Sequence, residues 1–157
     1  MDNVAREVEL DPTYTQIIEA SRTADRMTVA DGIVAAAREI AETTNIKAIC
    51  CFTQSGTTAL LTARERPRVP IIALTPLVGT ARRLALSWGT NCVITGELDR
   101  FKAAVVSAAK AARSEGFAGP DDLIVVTAGV PFNTPGSTNI LRVAPCDERL
   151  IYSSDPE

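Results

Sequence analysis

The sequence predicts an α/β fold: a three-layer α/β/α domain with a mostly parallel five-stranded sheet and an antiparallel last strand. Three observations predict it. Short apolar runs alternate with segments of helical periodicity, the connections between them are brief, and the last predicted strand follows its predecessor without a helix. Parallel strands need a long crossover, usually a helix, whereas a short connection permits only an antiparallel neighbour.

Length and composition fit one compact domain. The chain has 157 residues and a formal net charge of −3, and its basic residues are scattered rather than clustered. This distribution argues against binding to nucleic acid or to an acidic membrane. There is no apolar run of about 18 residues, and the acidic N-terminus does not resemble a signal peptide. We expect a soluble, cytoplasmic protein.

The chain contains no histidine, which removes the commonest general base and the commonest metal ligand. A stand-alone enzyme is therefore the weakest interpretation, and we expect neither catalytic residues nor a metal site in this chain.

The four cysteines, Cys50, Cys51, Cys92 and Cys146, lack the CxxC spacing of a zinc site. We expect them to be small core residues, with the adjacent pair pointing to opposite faces of a strand.

The first 27 residues predict two short helices. Val4 and Val8 lie four apart in the first, which ends near residues 11–12, and the second covers residues 13–20. Only Asp2 is placed to cap the first helix, so we expect that helix to be the tail of something longer. The best-defined helix begins at Thr28, whose side chain pairs with Asp31 as a helix-entry signal, and continues to about residue 44.

Strands and helices alternate after residue 44. Strands are predicted at residues 47–52, 69–74, 91–94, 122–129 and 139–143, and helices at residues 56–64, 78–88 and 100–115. The strands are short apolar runs without polar alternation, as expected for strands covered on both faces. Beyond Pro145 the pattern is weak, and we expect a tail.

The stretch FTQSGTTA follows the first buried strand and opens a helix. In open α/β folds the carboxyl ends of the strands present the ligand site, and the amides at a helix N-terminus attract anions, especially phosphate. The candidate residues are Thr53, Gln54, Ser55, Gly56, Thr57 and Thr58. An equally good interpretation is that Thr53 or Ser55 only caps the helix. The stretch lacks the lysine of a nucleotide-triphosphate loop, and the chain has no GxGxxG motif.

A second turn-rich stretch, TAGVPFNTPGSTN, leaves a later strand at the same edge of the sheet. This stretch either folds over the same ligand site or is a connection stiffened by Pro131 and Pro135. Several basic side chains are available to complete an anion site, although most are expected to be simply solvated: Arg64, Arg66, Arg82, Arg83 and Lys102. The single tryptophan, Trp88, is expected to be a partly buried anchor.

Two segments carry a family resemblance: FTQSGTTALLTARERPRVPIIALTPLVGTARRLALSWG and DDLIVVTAGVPFNTPGSTNILRV. Together with AREIAETTNIKAI they closely resemble the C-terminal domain of pyruvate kinase. The likeness covers nearly the whole chain in the family's order and spacing. The opening residues 1–27 resemble the end of that enzyme's catalytic barrel and its connection, with the C-terminal regulatory domain at residues 28–157.

The resemblance implies a regulatory role. Pyruvate kinases, which act in glycolysis, transfer a phosphoryl group from phosphoenolpyruvate to ADP with Mg²⁺ and K⁺ in a barrel that has no counterpart here. The resemblance implies that residues 53–58 hold the phosphate of an allosteric sugar phosphate or nucleotide, and that a second loop closes over it. In that loop the implied effector residues are Gly129, Pro135, Gly136, Ser137 and Thr138. Many relatives carry arginine where Thr57 stands, so this loop is less charged.

The resemblance also implies assembly, because the last strand of family members often pairs with its twin in another subunit. Here that strand is formed by residues Asn139 to Val143. The favoured hypothesis is a regulatory and oligomerisation domain, inactive alone, whose partners are an effector, its own catalytic barrel and further copies of itself. The alternative is a module that only assembles and has no effector binding.

Overall fold

A computed structural model describes residues 2–21, 28–98, 100–132, 134 and 137–153. Two N-terminal helices, α1 (Asp2–Leu10) and α2 (Pro12–Ser21), precede the α/β body. The body begins with helix α3 (Val29–Thr43), and its five strands are β1 (Ile46–Phe52), β2 (Ile71–Thr75), β3 (Thr90–Ile94), β4 (Leu123–Gly129) and β5 (Thr138–Pro145). The other helices are α4 (Thr57–Arg64), α5 (Val78–Leu84), α6 (Phe101–Ser114) and α7 (Glu148–Ser153).

The five strands form one sheet in the order β3-β2-β1-β4-β5. β1 pairs in parallel with β2 and β4, and β2 pairs in parallel with β3. β5 pairs antiparallel with β4, with Val125 opposite Val143. The predicted sheet, including its antiparallel last strand, is confirmed. The eight residues between β4 and β5 are too few for a parallel crossover, which explains the reversal.

Two apolar clusters, one on each face of the sheet, make the domain three-layered. One face packs against the alanine-rich side of α6 and against Ile151 of α7. The other packs against α3, α4 and Leu84 of α5. Cys50 belongs to the first cluster and Cys51 to the second, so the two neighbours point to opposite faces as predicted.

One predicted helix end and the predicted C-terminal tail were wrong. The helix expected over residues 78–88 ends at Leu84, because the next residues form tight turns in which the Ser87 amide donates to the Leu84 carbonyl at 2.8 Å. The tail expected after Pro145 instead forms α7, in which Asp147 accepts a hydrogen bond from the Arg149 amide at 2.9 Å. Ile151 is fully buried and docks this helix on the sheet.

Within the described ranges, no helix combines the length and the apolar character needed to cross a membrane.

Candidate functional site

The two stretches singled out in the sequence meet at one edge of the sheet. The hydroxyl loop, residues 53–58, leaves the carboxyl end of β1, and the proline loop, residues 129–138, leaves the carboxyl end of the adjacent β4. The chain continues from β1 to β2 on one side, whereas β4 lies on the other side of β1. Such a reversal of strand order opens a crevice between the loops, and open α/β sheets bind ligands there.

The hydroxyl loop turns sharply into α4. Gly56 precedes the helix with φ 91°, a left-handed conformation that favours glycine. The Gly56 amide donates to the Thr53 hydroxyl at 2.9 Å. Thr53 therefore bonds to the amide of Gly56, which is itself the N-cap residue of α4 and has no side-chain cap hydrogen bond, so Thr53 does not cap the helix.

The four hydroxyls of this loop divide into two pairs. Ser55 and Thr57 are exposed and bond each other at 2.9 Å, and the Ser55 hydroxyl also accepts from the Thr57 amide at 3.4 Å. Thr53 and Thr58 are buried. The Thr58 hydroxyl bonds that of Thr138, at the end of the proline loop, at 2.6 Å. This bond joins the two loops, so only half of the hydroxyls predicted to face a ligand are open to solvent.

The proline loop is pinned at both ends. A Cβ added to Gly129 would meet the Ser137 hydroxyl and would lie 2.9 Å from the Ser137 carbonyl carbon. Nearby, the Asn139 side chain accepts from the Val130 amide at 2.9 Å and donates to the Val130 carbonyl at 2.6 Å. The Ser137 hydroxyl donates to the Thr134 carbonyl at 2.7 Å. Two predicted effector residues, Pro135 and Gly136, lie outside the described residues.

A cleft of about 70 Å³ lies between the loops, with room for several water molecules or one small group. Seven of the predicted residues line it: Thr53, Gln54, Ser55, Thr58, Gly129, Ser137 and Thr138. Sequence reasoning missed Leu74, Pro76 and residues 95–98, which also line the cleft, whereas Phe132 belongs to the stretch predicted to fold over the site. Residues 95–98 directly follow β3, so they leave the same edge of the sheet as the two loops. This position could have identified them as lining residues from the sequence. Among the described lining residues none is basic, and Glu97 is the one carboxylate.

The basic residues proposed to complete an anion site lie elsewhere. Arg64 donates to Asp31 at 2.6 Å, Arg66 stacks on the Trp88 ring at 4.6 Å, and Lys102 lies over Tyr152 at 4.9 Å. Arg83 contacts the hydroxyl loop, where it donates to the Ser55 carbonyl at 3.0 Å.

Trp88 is half-buried, as predicted. Its indole nitrogen donates to Glu9 of α1 at 2.7 Å, so it links the N-terminal helices to the body.

The cysteines are not suited to nucleophilic chemistry. Burial raises the pKa of Cys51 and raises that of Cys50 well above its ordinary value. Burial, followed by the nearby Asp122 charge, raises the pKa of Cys146 to about 11. The reactive thiolate is therefore scarce at neutral pH, which fits the structural role predicted for these three residues.

The described residues hold no group of three histidine, cysteine, aspartate or glutamate side chains arranged to bind a metal ion. The cleft instead offers hydroxyls, backbone amides and a helix N-terminus, which are the groups that bind anions. Fold and cleft together define an open α/β domain with a small polar cleft at its topological switch point.

Comparison with known proteins identifies the family. Residues 31–144 match the model of the pyruvate kinase alpha/beta domain, so the chain belongs to that family. It is similar to a pyruvate kinase of Methylorubrum extorquens, with 41% identity over 92% of this chain and 30% of the relative. A pyruvate kinase of Agrobacterium vitis is 39% identical over 91% of this chain and 30% of the relative. The chain thus spans about 30% of the length of these curated relatives.

Solved structures agree with this assignment. The structure titled Cryptosporidium parvum pyruvate kinase in complex with ADP superposes with a TM-score of 0.75 and 27% identity, covering 85% of this chain and 27% of that one. A second pyruvate kinase structure from Cryptosporidium parvum gives a TM-score of 0.76 over 88% of this chain and 27% of its own. Its 24% identity supports the fold alone.

Proposed function

We propose that this chain is the regulatory domain of a pyruvate kinase and that its cleft binds a phosphorylated effector. The parent enzyme would transfer a phosphoryl group from phosphoenolpyruvate to ADP, giving pyruvate and ATP, with Mg²⁺ and K⁺ held in a catalytic barrel. Residues 1–27 would belong to the end of that barrel and its connection, and residues 28–157 to the regulatory domain. The observation that carries the proposal is the cleft between the hydroxyl and proline loops.

The cleft favours a single phosphate. The N-terminus of α4 and the exposed Ser55 hydroxyl, which lines the cleft, would supply donors and a partial positive charge for one phosphate, whereas Thr57 and Gly56 are not among the lining residues. Glu97, the one carboxylate among the described lining residues, would repel a second phosphate but would accept hydrogen bonds from ligand hydroxyls. We therefore expect the cleft to take the phosphate group of a sugar monophosphate or a nucleoside monophosphate, and to suit a bisphosphate less well.

Isothermal titration calorimetry tests this proposal. Ribose 5-phosphate, glucose 6-phosphate and AMP should bind more tightly than fructose 1,6-bisphosphate. Ser55→Ala should weaken binding roughly tenfold, because it removes a hydrogen bond to a charged group worth about 1.5 kcal/mol. Ser114→Ala, at the far end of α6, is the matched control and should bind as the wild type does. Absence of heat with all four ligands would contradict the proposal.

The assembly-only alternative is favoured by the position of β5, which is an edge strand of the described sheet. Unpaired backbone groups along such an edge can pair with a second copy of the same strand. This module would form a dimer through residues 139–143 and would respond to no phosphorylated ligand.

Proline scanning of β5 tests the edge pairing. Backbone amides along a strand alternate between its two sides, so Leu141→Pro and Arg142→Pro remove amides that face opposite directions. One variant should lose the ladder to β4 and unfold more easily, and the other should stay folded but sediment as a monomer. This edge is not the assembly surface if the wild type is itself a monomer at high concentration. The same conclusion follows if both proline variants fold and both remain dimers.

A further inference from the structure

We propose that Thr80 and Arg83 of α5 are positioning residues that fix the backbone of the hydroxyl loop in its phosphate-binding orientation. The inference rests on the proposed function, since it concerns the same cleft. Neither residue lines the cleft, so each would act through the loop rather than by touching the ligand.

Two successive carbonyls of the hydroxyl loop are held by α5. The Thr80 hydroxyl donates to the Gln54 carbonyl at 2.6 Å. Arg83 donates to the Ser55 carbonyl at 3.0 Å and to the Thr80 hydroxyl at 3.3 Å. Thr80 is buried, with 4% of its surface exposed, so its hydroxyl could not exchange these partners for bulk water.

This arrangement sets the direction of the loop amides. In a planar trans peptide the C=O and N–H groups point in opposite directions. Because the Gln54 carbonyl points at α5, the Ser55 amide points away from it. Gln54 and Ser55 line the cleft, and no described residue of α5 does, so this amide is directed to the side on which a ligand would lie.

Close packing keeps the loop against α5. A Cβ on Gly56 would lie 3.3 Å from the Leu84 side chain and 3.4 Å from the Thr80 methyl group. The Gly56 backbone therefore lies close to α5, and an added side chain would pack tightly against Leu84 and Thr80. The Thr80 methyl group makes this contact and the Thr80 hydroxyl makes the hydrogen bond. Substitutions can therefore remove one group and keep the other.

Thr80→Val keeps the shape and removes the hydroxyl, whereas Thr80→Ser keeps the hydroxyl and removes the methyl group. With ribose 5-phosphate in calorimetry, Thr80→Val should bind about tenfold more weakly, close to the effect of one lost hydrogen bond, and Thr80→Ser within about twofold of wild type. Equal affinity of wild type and Thr80→Val would overturn the inference while leaving the proposed function standing.

The amide spectrum of the ligand-free chain gives a readout that does not depend on binding. In ¹⁵N-labelled protein, the Ser55 and Gly56 amide signals should shift and broaden in Thr80→Val and should return towards wild type in Thr80→Ser. Unchanged signals in a folded Thr80→Val chain would overturn the inference. If these signals change but no phosphorylated ligand binds the wild type, the proposed function fails and the positioning role of Thr80 remains.

Two neighbouring arginines provide a matched pair. Arg82 and Arg83 are both exposed on α5, and Arg83 makes the contact with the Ser55 carbonyl. Arg83→Met and Arg82→Met remove the same charge, but only the first should weaken binding, by about threefold or more for one partly exposed hydrogen bond. Equal weakening by both variants would mean that net charge, rather than loop positioning, explains the effect.

Discussion

At the scale of single residues, the Asp31 side chain both caps helix α3 and bonds to the neighbouring helix α4. Its carboxylate accepts from the Thr28 hydroxyl at 2.6 Å and from the Thr28 amide at 3.2 Å, completing a capping box at the start of α3. It also accepts from Arg64 of α4 at 2.6 Å. The hydrogen bond from the Thr28 side chain, followed by the bond from Arg64, lowers the pKa of Asp31.

The lowered pKa predicts a pH dependence of stability. A carboxylate whose pKa is lower in the folded state stabilises the protein above its unfolded pKa of about 3.9, and this contribution is lost as the pH falls through the folded value. Asp31→Asn should therefore lower the urea midpoint at pH 7, and the gap from wild type should narrow near pH 3. Asp121→Asn, at an exposed site outside the helices, is the control and should change little. A gap that is the same at both pH values would contradict this account.

The sequence predicted the Thr28–Asp31 pair because both partners lie within one helical turn. It did not predict the contact with Arg64, which is 33 residues away and depends on how α3 packs against α4. The bond between the Thr58 and Thr138 hydroxyls was missed for the same reason, since it joins residues 80 apart. Motifs local in sequence were thus predictable, whereas contacts made by tertiary packing were not.

At the scale of elements, the alternation of buried strands and amphipathic helices was enough to predict all five strands of the sheet. The two wrong predictions, at the end of α5 and at α7, lie where the apolar pattern of the sequence does not match the burial of the side chains. The apolar pattern continues past Leu84, although Leu86 is almost fully exposed and the chain there turns back towards β3. Helix α7 has only six residues, too few to show a period, and Ile151 anchors it in the core.

The junction between β4 and the proline loop allows a prediction at this scale. Gly129→Ala would place a Cβ against Ser137 and should destabilise the domain by about 1–3 kcal/mol, as overpacked sites do. Gly79→Ala, in α5 where no atom lies within 4 Å of the added Cβ, should leave stability unchanged or raise it slightly. Urea unfolding measures both. Equal stability of Gly129→Ala and wild type would show that the proline loop is not pinned as described.

At the scale of the whole molecule, the order of the strands brings the candidate site together. Residues 53–58 and 129–138 are far apart in sequence, yet β1 and β4 are neighbours and parallel, so both loops leave the same edge of the sheet. Each strand and each loop is determined by residues that are close together in sequence. The order of the strands then brings the two loops together at one cleft. The sequence therefore predicted both loops, but their direct contact and the third wall formed by residues 95–98 required the structure.

The most direct test of the central claim is an amide chemical-shift titration of the ¹⁵N-labelled chain with ribose 5-phosphate. If one phosphate lies between the two loops, amides in residues 53–58 and in residues 129–138 should shift together and saturate with a single dissociation constant. Shifts confined to one loop, shifts scattered among the arginines outside the cleft, or no shifts at all would contradict the claim.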